Sequence, residues 1–260
     1  MIISGFNISM IVSDLDDTLL RNDKCISERT RNILALCRES GIKVVYATGR
    51  GRSAERVAPS QIFDGRISMN GAVAIVNNAL VYSRKIPYQI ARPILMACDQ
   101  YGLKVASELS DINYTNFIVS DVWPNAKDFE VVDFSQHNID AEKLYMLVNN
   151  PDDAAFIRKH LPENLYLCLS KDGLAQVMHK EATKAKAIAK LAKIWNIEQS
   201  QIVAFGDDLN DIDMLEYAGI GIAMENALDE VKAAADFVCA SNDEDGVAEW
   251  IFENVFEGRV

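Results

Sequence analysis

The sequence has 260 residues and is short of positive charge. Its 26 Lys and Arg residues stand against 38 Asp and Glu residues, which gives a formal net charge of -12. Such an acidic chain is a poor general ligand for nucleic acid or for an anionic membrane, because these carry charge of the same sign. A phosphate site in this chain must therefore be made locally, from a metal ion, main-chain amides and a few basic side chains.

Cysteine is also scarce, and no two of the five cysteines form a CxxC pair. Neither a disulfide framework nor a zinc site is indicated. We expect reduced core residues of a cytoplasmic protein at the five positions, Cys25, Cys37, Cys98, Cys168 and Cys239. No apolar run is long enough to span a membrane. The apolar first 12 residues lack the basic start of a signal peptide, so we expect them to form the first strand and a short lead into it.

Three acids follow the first apolar segment. Residues 8–12 predict a buried strand, and Asp14, Asp16 and Asp17 come directly after it. A strand with this ending places carboxylates at the carboxyl edge of a sheet, where open α/β folds bind ligands. Asp14 and Asp16 repel each other unless a cation lies between them or one is protonated, and Mg²⁺ prefers such oxygen ligands. The alternative interpretation is an acidic turn with solvated carboxylates.

A β-α-β unit is predicted at the start of the chain. Helical spacing over residues 28–39 is followed by an apolar strand pattern over 42–47, which favours a parallel sheet. Thr48 then lies at the same edge as Asp14. Residues 49–54 also match the GxGxxA dinucleotide fingerprint. That alternative is weaker, because the segment follows the second strand, arginines stand beside its glycines, and no acid closes a later strand at the expected distance.

A second acidic strand end occurs in the last third of the chain. Residues 202–205 predict a buried strand, and Gly206, Asp207, Asn210 and Asp211 follow it. An acidic helix N-terminus explains one or two of these residues but not all four. The predicted helix over 181–194 precedes this strand and carries several lysines, most of which are expected on a solvated face.

The middle of the chain predicts a separate, strand-rich α+β domain. It contains strand patterns between residues 103 and 178 and helical patterns over 87–101 and 152–160. Tyr114, Trp123 and His137 are expected in packing or at the surface. Asn113, Tyr114, Asn116 and His137 are side chains suited to a hydroxylated ligand.

Together these motifs resemble the haloacid dehalogenase (HAD) superfamily of phosphohydrolases, and nearly the whole chain resembles its Cof-like subfamily, type IIB, with a C2 cap. The motifs in chain order are Asp14-x-Asp16-x-Thr18, Thr48-Gly49-Arg50, Asn70-Gly71-Ala72, Lys184 with Lys180 as its alternative, and Gly206-Asp207-x-x-Asn210-Asp211. Ala185 and Glu225 stand where many Cof-like proteins have glycine.

The resemblance implies a role for each motif. Asp14 is the implied nucleophile and Asp16 the implied general acid/base, assisted by Thr48 and Lys184. The implied phosphate-binding residues are Gly49, Arg50, Asn70 and Asn210. The implied ligands of Mg²⁺ are Asp14, Asp16, Asp207 and Asp211.

The resemblance also implies the architecture and the activity. The expected fold is an α/β, doubly wound, Rossmann-like parallel sheet formed by residues 1–81 and 181–260, with an inserted α+β C2 cap over 82–180 that determines specificity. The expected activity is Mg²⁺-dependent hydrolysis of small phosphate monoesters, first of all sugar phosphates, through an aspartyl-phosphate. The alternatives are a phosphomutase or phosphotransferase, and a catalytically silent phosphometabolite-binding module. We expect a small-molecule substrate, no nucleic acid or membrane partner, a cytoplasmic location, and a monomer or weak homo-oligomer.

Overall fold

The computed structural model describes residues 7–51, 53–110, 112–124, 128–169 and 173–256. The predicted lead into the first strand lies largely outside these residues, as does Arg52 of the GxGxxA segment. The chain separates into two compact units, one formed by residues 1–83 with 183–260 and the other by residues 84–182. Within the described part of the chain, no helix has both the length and the apolar character needed to cross a membrane.

The first unit begins with five strands and two helices. They are β1 (Met10–Ser13), α1 (Glu28–Glu39), β2 (Lys43–Ala47), α2 (Ser53–Val57), β3 (Gly65–Ser68), β4 (Val73–Val76) and β5 (Ala79–Ser83). Helix α1 starts where predicted, because the Ser27 hydroxyl accepts a hydrogen bond from the N–H of Thr30 at 3.0 Å. The turn between β4 and β5 is formed by Asn77 and Asn78, both with positive φ, as a two-residue hairpin requires.

The second unit contains six strands and two helices. They are α3 (Tyr88–Tyr101), β6 (Lys104–Leu109), β7 (Ile112–Thr115), β8 (Phe129–Val131), β9 (Lys143–Leu147), α4 (Pro151–Lys159), β10 (Leu165–Leu169) and β11 (Leu174–His179). The chain then returns to the first unit with α5 (Lys184–Trp195), β12 (Ile202–Gly206), α6 (Ile212–Tyr217), β13 (Ile220–Ala223), α7 (Asp229–Ala234), β14 (Phe237–Val238) and α8 (Gly246–Ile251).

An eight-stranded sheet organises the first unit, in the order β14-β13-β12-β1-β2-β3-β4-β5. The strands from β14 to β3 are parallel, and β4 pairs antiparallel with both of its neighbours, β3 and β5. Strand β1 lies between β12 and β2 and is buried along its whole length. In this register Ser13 is level with Phe205 and with Tyr46, so the chain leaves all three strands at one edge.

A six-stranded sheet organises the second unit, in the order β10-β11-β9-β6-β7-β8. All its pairings are antiparallel except β7 with β8. Apolar side chains of helices α3 and α4 form one core together with strand side chains such as Val105, Leu144 and Val177. The sequence pattern predicts one strand over residues 112–119, which is wrong, because β7 ends at Thr115. The side-chain amide of the next residue, Asn116, accepts from the N–H of Val105 and donates to the carbonyl oxygen of Leu103 instead.

The side chains considered for ligand contact have structural partners in this unit. The ring of His137 packs against Tyr114 and Phe134, with centroid distances of 4.8 and 5.6 Å. Trp123 is partly exposed and meets the ring of Tyr145 edge-on. The Tyr145 hydroxyl donates a hydrogen bond to the Asn113 amide oxygen at 3.0 Å.

None of the five cysteines, all of which lie among the described residues, forms a disulfide. Cys37 and Cys98 are buried, where the low polarity raises the pKa of each thiol. The prediction of five core residues is wrong for Cys25, which is exposed in the turn before α1, and Cys168 and Cys239 are only partly buried.

Candidate active site

Three polar strand ends meet at the carboxyl edge of the large sheet. Asp14 follows β1, Thr48 follows β2, and Asp207 follows β12. The N–H of Asp14 donates to the carbonyl oxygen of Phe205 at 3.0 Å, which extends the pairing of β1 with β12 by one residue. The parallel register therefore brings together residues that are far apart in the sequence, such as Asp14 and Asp207, which are separated by 193 positions.

Lys184 lies within this group of acids. Its Nζ is 2.7 Å from Asp14 Oδ1 and 2.5 Å from Asp211 Oδ1, and the residue is only 1% exposed. Burial alone would lower the pKa of the Lys184 ammonium, but the two carboxylates outweigh it and raise the pKa above its ordinary value. Lys184 is therefore charged and binds both carboxylates.

The start of helix α5 fixes this lysine. The helix begins at Lys184 rather than at residue 181 as predicted, because Thr183 is the N-cap and accepts from the N–H of Lys186 at 3.3 Å. The main chain of Gly71 lies against this N-cap, and a Cβ atom there would lie 2.1 Å from the carbonyl oxygen of Thr183. Lys180, the alternative motif lysine, is exposed in the turn after β11.

Asp14, Asp207 and Asp211 form a cluster of carboxylates. One oxygen from each lies within 4.8 Å of the other two. Burial and the neighbouring charge of Asp211 raise the pKa of Asp207 to about 7, and burial raises the pKa of Asp14 well above its ordinary value. The ammonium of Lys184 balances only part of this negative charge. Oxygen donors with surplus negative charge suit a hard divalent cation, so these residues fit Mg²⁺.

The loop after β12 holds Asp211 in place. Its Oδ2 accepts hydrogen bonds from the main-chain N–H groups of Asp207 and Asp208, at 3.0 and 3.1 Å. The close approach requires a glycine at position 206, since a Cβ atom there would lie 2.5 Å from the Cβ of Asp211. Asp211 therefore has one oxygen directed at the lysine and the other at the loop that carries Asp207.

Asp16 has different surroundings. Arg50 binds its carboxylate with two hydrogen bonds, from Nε at 2.5 Å and from Nη2 at 2.6 Å, and the Lys24 ammonium lies 3.5 Å away. Burial would raise the pKa of Asp16, but Arg50 and Lys24 outweigh it and hold the pKa below its ordinary value. Among the described residues, the carboxylate cluster contains Asp14, Asp207 and Asp211 but not Asp16.

The remaining predicted site residues lie around Thr48, at the end of strand β2. Thr48 is buried, and its hydroxyl accepts from the N–H of Arg50 at 3.2 Å. The Asn70 amide oxygen accepts from Nδ2 of Asn210 at 2.9 Å. A Cβ atom on Gly49 would lie 2.9 Å from the same Asn70 oxygen, so a larger residue at position 49 would displace the Asn70 side chain. Asn70 itself has φ +50, a left-handed conformation that Asn tolerates better than most residues.

Two further residues support the site and were given no role in the sequence analysis. The Thr18 hydroxyl donates to Asp207 Oδ1 at 2.7 Å, and Asp213 Oδ2 accepts from the N–H of Ala185 in the first turn of α5 at 3.0 Å. The sequence places Thr18 two residues after Asp16, but its partner is 189 residues away. No local pattern distinguishes Asp213 from an ordinary acid of a first helical turn.

The chain also matches a known family along most of its length. Residues 11–251 match the family model of the haloacid dehalogenase-like hydrolases. The chain belongs to this family. It is 30% identical over 256 residues to the 5-amino-6-(5-phospho-D-ribitylamino)uracil phosphatase YcsE of Bacillus subtilis (strain 168), with 94% of this chain and 95% of that protein covered.

Solved structures of HAD phosphatases have the same fold. BT1666 from Bacteroides thetaiotaomicron, a HAD superfamily phosphatase, matches with a TM-score of 0.84 and 26% identity, over 96% of each chain. The HAD subclass IIB sugar phosphatase BT4131 matches with a TM-score of 0.83 and 26% identity, over 94% of this chain and 97% of that one. The predicted family, fold class and enzyme class, a phosphoric monoester hydrolase, are confirmed.

Proposed function

We propose that this HAD hydrolase cleaves small phosphate monoesters, first of all sugar phosphates, in a Mg²⁺-dependent reaction through an aspartyl-phosphate on Asp14. The observation that carries the proposal is the pair of environments at the end of β1. Asp14 is buried against Lys184 and two further acids. Asp16, two residues after Asp14, binds Arg50 instead. This arrangement provides one carboxylate for bond formation and a second for proton transfer.

In the first half-reaction the carboxylate of Asp14 attacks phosphorus, and the bond from phosphorus to the leaving oxygen breaks. Lys184 neutralises charge on Asp14 and at the phosphoryl oxygens, while Thr48 and neighbouring main-chain N–H groups orient the phosphoryl group. Asp14, Asp207 and Asp211 would hold Mg²⁺, which supplies additional positive charge for the phosphoryl oxygens. The prediction that Asp16 is also a metal ligand stays a prediction.

Asp16 acts as the acid and then as the base. It gives a proton to the leaving oxygen and, once ionised, takes one from the water that attacks the aspartyl-phosphate. Arg50 stabilises the ionised form that the second half-reaction requires. Before the first half-reaction Arg50 must release Asp16 or divide its N–H donors between Asp16 and the incoming phosphoryl group. Arg50 is one of the predicted phosphate-binding residues.

The substrate class rests on the sequence and on two relatives. One relative is named as a sugar phosphatase, and the other acts on a phosphorylated ribityl compound. We propose that the cap, residues 82–180, selects among monoesters. We further propose that the protein has no nucleic acid or membrane partner, acts in the cytoplasm, and is a monomer or a weak homo-oligomer.

A phosphate-release assay tests the substrate class. The purified chain with Mg²⁺ would be given hexose and pentose phosphates, a phosphopeptide and a short 5′-phosphorylated oligonucleotide. We expect the highest kcat/KM among the sugar phosphates. Faster release from either macromolecule would contradict the substrate class, and formation of an isomeric sugar phosphate without free phosphate would show a phosphomutase.

A further inference from the structure

The turn that follows Asp16 is held by two asparagines from the C-terminal part of the first unit. Asn226 donates from Nδ2 to the main-chain carbonyl oxygen of Asp17 at 2.7 Å, and its Oδ1 accepts from the N–H of Asn242 at 3.0 Å. Asn242 is 4% exposed and donates from Nδ2 to the carbonyl oxygen of Leu20 at 2.9 Å. The two amides therefore fix the main chain at both ends of residues 17–20.

Asp17 has a conformation that needs such support. Its φ is +57, in the left-handed region that a non-glycine residue adopts at a cost, whereas Asp16 has φ -70 and ψ 129. A residue stays in that region only when its surroundings determine it. The bond from Asn226 fixes the carbonyl group of Asp17, and with it the main chain of the residue that directly follows Asp16.

Besides the bond from the Thr18 hydroxyl to Asp207, other side chains contact this loop, but at different atoms. Arg21 binds Asp245 with two hydrogen bonds, at 2.9 and 2.5 Å, and the N–H of Asn22 donates to Asp243 at 2.9 Å. These bonds hold the outer part of the loop. Lys24 contacts side-chain oxygens of the two acids, at 2.8 Å for Asp17. Asn226 acts instead on the main chain of the residue next to Asp16.

We propose that Asn226 is a positioning residue for the general acid/base. It holds the turn so that the carboxyl group of Asp16 reaches the leaving oxygen. As the bond between phosphorus and that oxygen breaks, phosphorus bonds to Asp14 and the proton of Asp16 passes to the departing oxygen. The inference rests on the proposed function of Asp16.

The test compares leaving groups. An aryl ester such as p-nitrophenyl phosphate releases a stable anion that needs little protonation, whereas a sugar phosphate releases an alkoxide that needs a proton. The value of kcat/KM reports steps up to the first irreversible one, so it includes the transfer to Asp14. The ratio of kcat/KM for the aryl ester to that for the sugar ester therefore measures how well Asp16 acts as an acid.

Asn226→Asp keeps the shape of the side chain and an acceptor for Asn242 but removes the donor to Asp17. Its matched control is Asn254→Asp, which makes the same chemical change at an amide that donates to the carbonyl oxygen of Trp250 in the last helical segment. Asn226→Ala removes the donor without adding charge. Thermal unfolding of each variant shows whether it is folded.

We expect both Asn226 variants to raise the aryl-to-sugar ratio roughly tenfold or more, a fraction of what acid/base catalysis is worth. Asn254→Asp should leave the ratio unchanged. An equal loss on both esters, or no loss on either, would overturn the role of Asn226. If the wild-type chain released phosphate from neither ester, the proposed function itself would fail, and this result is distinct from an unchanged ratio.

Discussion

At the residue scale, the two acids of the first motif differ in their surroundings although they lie two positions apart. Asp14 is 6% exposed, and its carboxylate is shared with Lys184. Asp16 is partly exposed and is bound by a guanidinium through two bonds. Carboxyl groups with such different environments are suited to different tasks, as nucleophile and as acid/base.

Substitution of each acid by asparagine should separate these tasks. Asp14→Asn should abolish the phosphoenzyme, because an amide does not attack phosphorus in its place. Asp16→Asn should lower turnover by about 10²–10⁴-fold, the usual worth of a general acid/base, while still forming a phosphoenzyme from p-nitrophenyl phosphate. The measurements are steady-state turnover and a hydroxylamine-sensitive label after quenching. Asp23→Asn, at an exposed acid of the next loop, is the control. A label in Asp14→Asn would exclude Asp14 as the nucleophile.

At the scale of elements, the site depends on where helix α5 begins. Thr183 caps the helix, Asp213 accepts from its first turn, and Gly71 allows the turn after β3 to approach it closely. Lys184 reaches the acids because it is the first residue of the helix. A helix begun three residues earlier would place its lysines differently relative to the strand ends.

Gly71→Ala should therefore impair both stability and activity. Gly71 has φ +96, and an alanine Cβ there would lie 2.1 Å from a main-chain oxygen. We expect a lower unfolding midpoint and a loss of roughly 10²-fold in kcat/KM, the cost of misplacing a catalytic group by about 1 Å. Gly41→Ala is the matched control, since Gly41 has φ +84 but no atom within 4 Å of the added Cβ. Equal effects of the two substitutions would show that the close approach at Gly71 is unimportant.

At the scale of the whole molecule, the acid cluster links folding to pH and to the metal. The pKa of Asp207 is raised from 3.8 to about 7 in the folded chain by burial and by Asp211. The unfolded chain gives up this proton at lower pH than the folded chain does. The free energy of unfolding of the metal-free protein should therefore fall as pH rises from about 4 to about 7, by the linkage between proton binding and folding.

Thermal unfolding with and without Mg²⁺ checks this prediction. In excess chelator the unfolding midpoint should be lower at pH 8 than at pH 5, and Mg²⁺ at pH 8 should restore it, because the ion binds the folded state. Phosphate release should stop with the chelator and return with Mg²⁺. Asp207→Asn should weaken both the pH dependence and the response to Mg²⁺, whereas Asp229→Asn, at an exposed acid, should not. Full turnover in excess chelator would contradict the metal dependence.

The local patterns of the sequence already determine the strands, the helices and the candidate residues. Apolar runs that end in Asp14, Thr48 and Asp207 predict three parallel strands, and the chain leaves such strands at one edge. Spacing and capping place helix α1 correctly, because both depend on residues within one or two turns. The family follows from the motifs at Asp14, Thr48, Lys184 and Asp207 in a fixed order, and it is confirmed over residues 11–251.

Only the tertiary structure decides which of those residues touch. Lys184 rather than Lys180 reaches the acids because Thr183 caps helix α5 and the main chain of Gly71 packs against that cap. Gly71 lies 113 residues before Lys184 in the sequence. The pairing of Asp16 with Arg50, and of Asn226 with Asp17, joins loops from different strands. In a turn, a charged or amide side chain such as Asp, Arg or Asn can form a hydrogen bond with any of several groups. Packing of the sheet selects one of them, and no pattern of neighbouring residues contains that information.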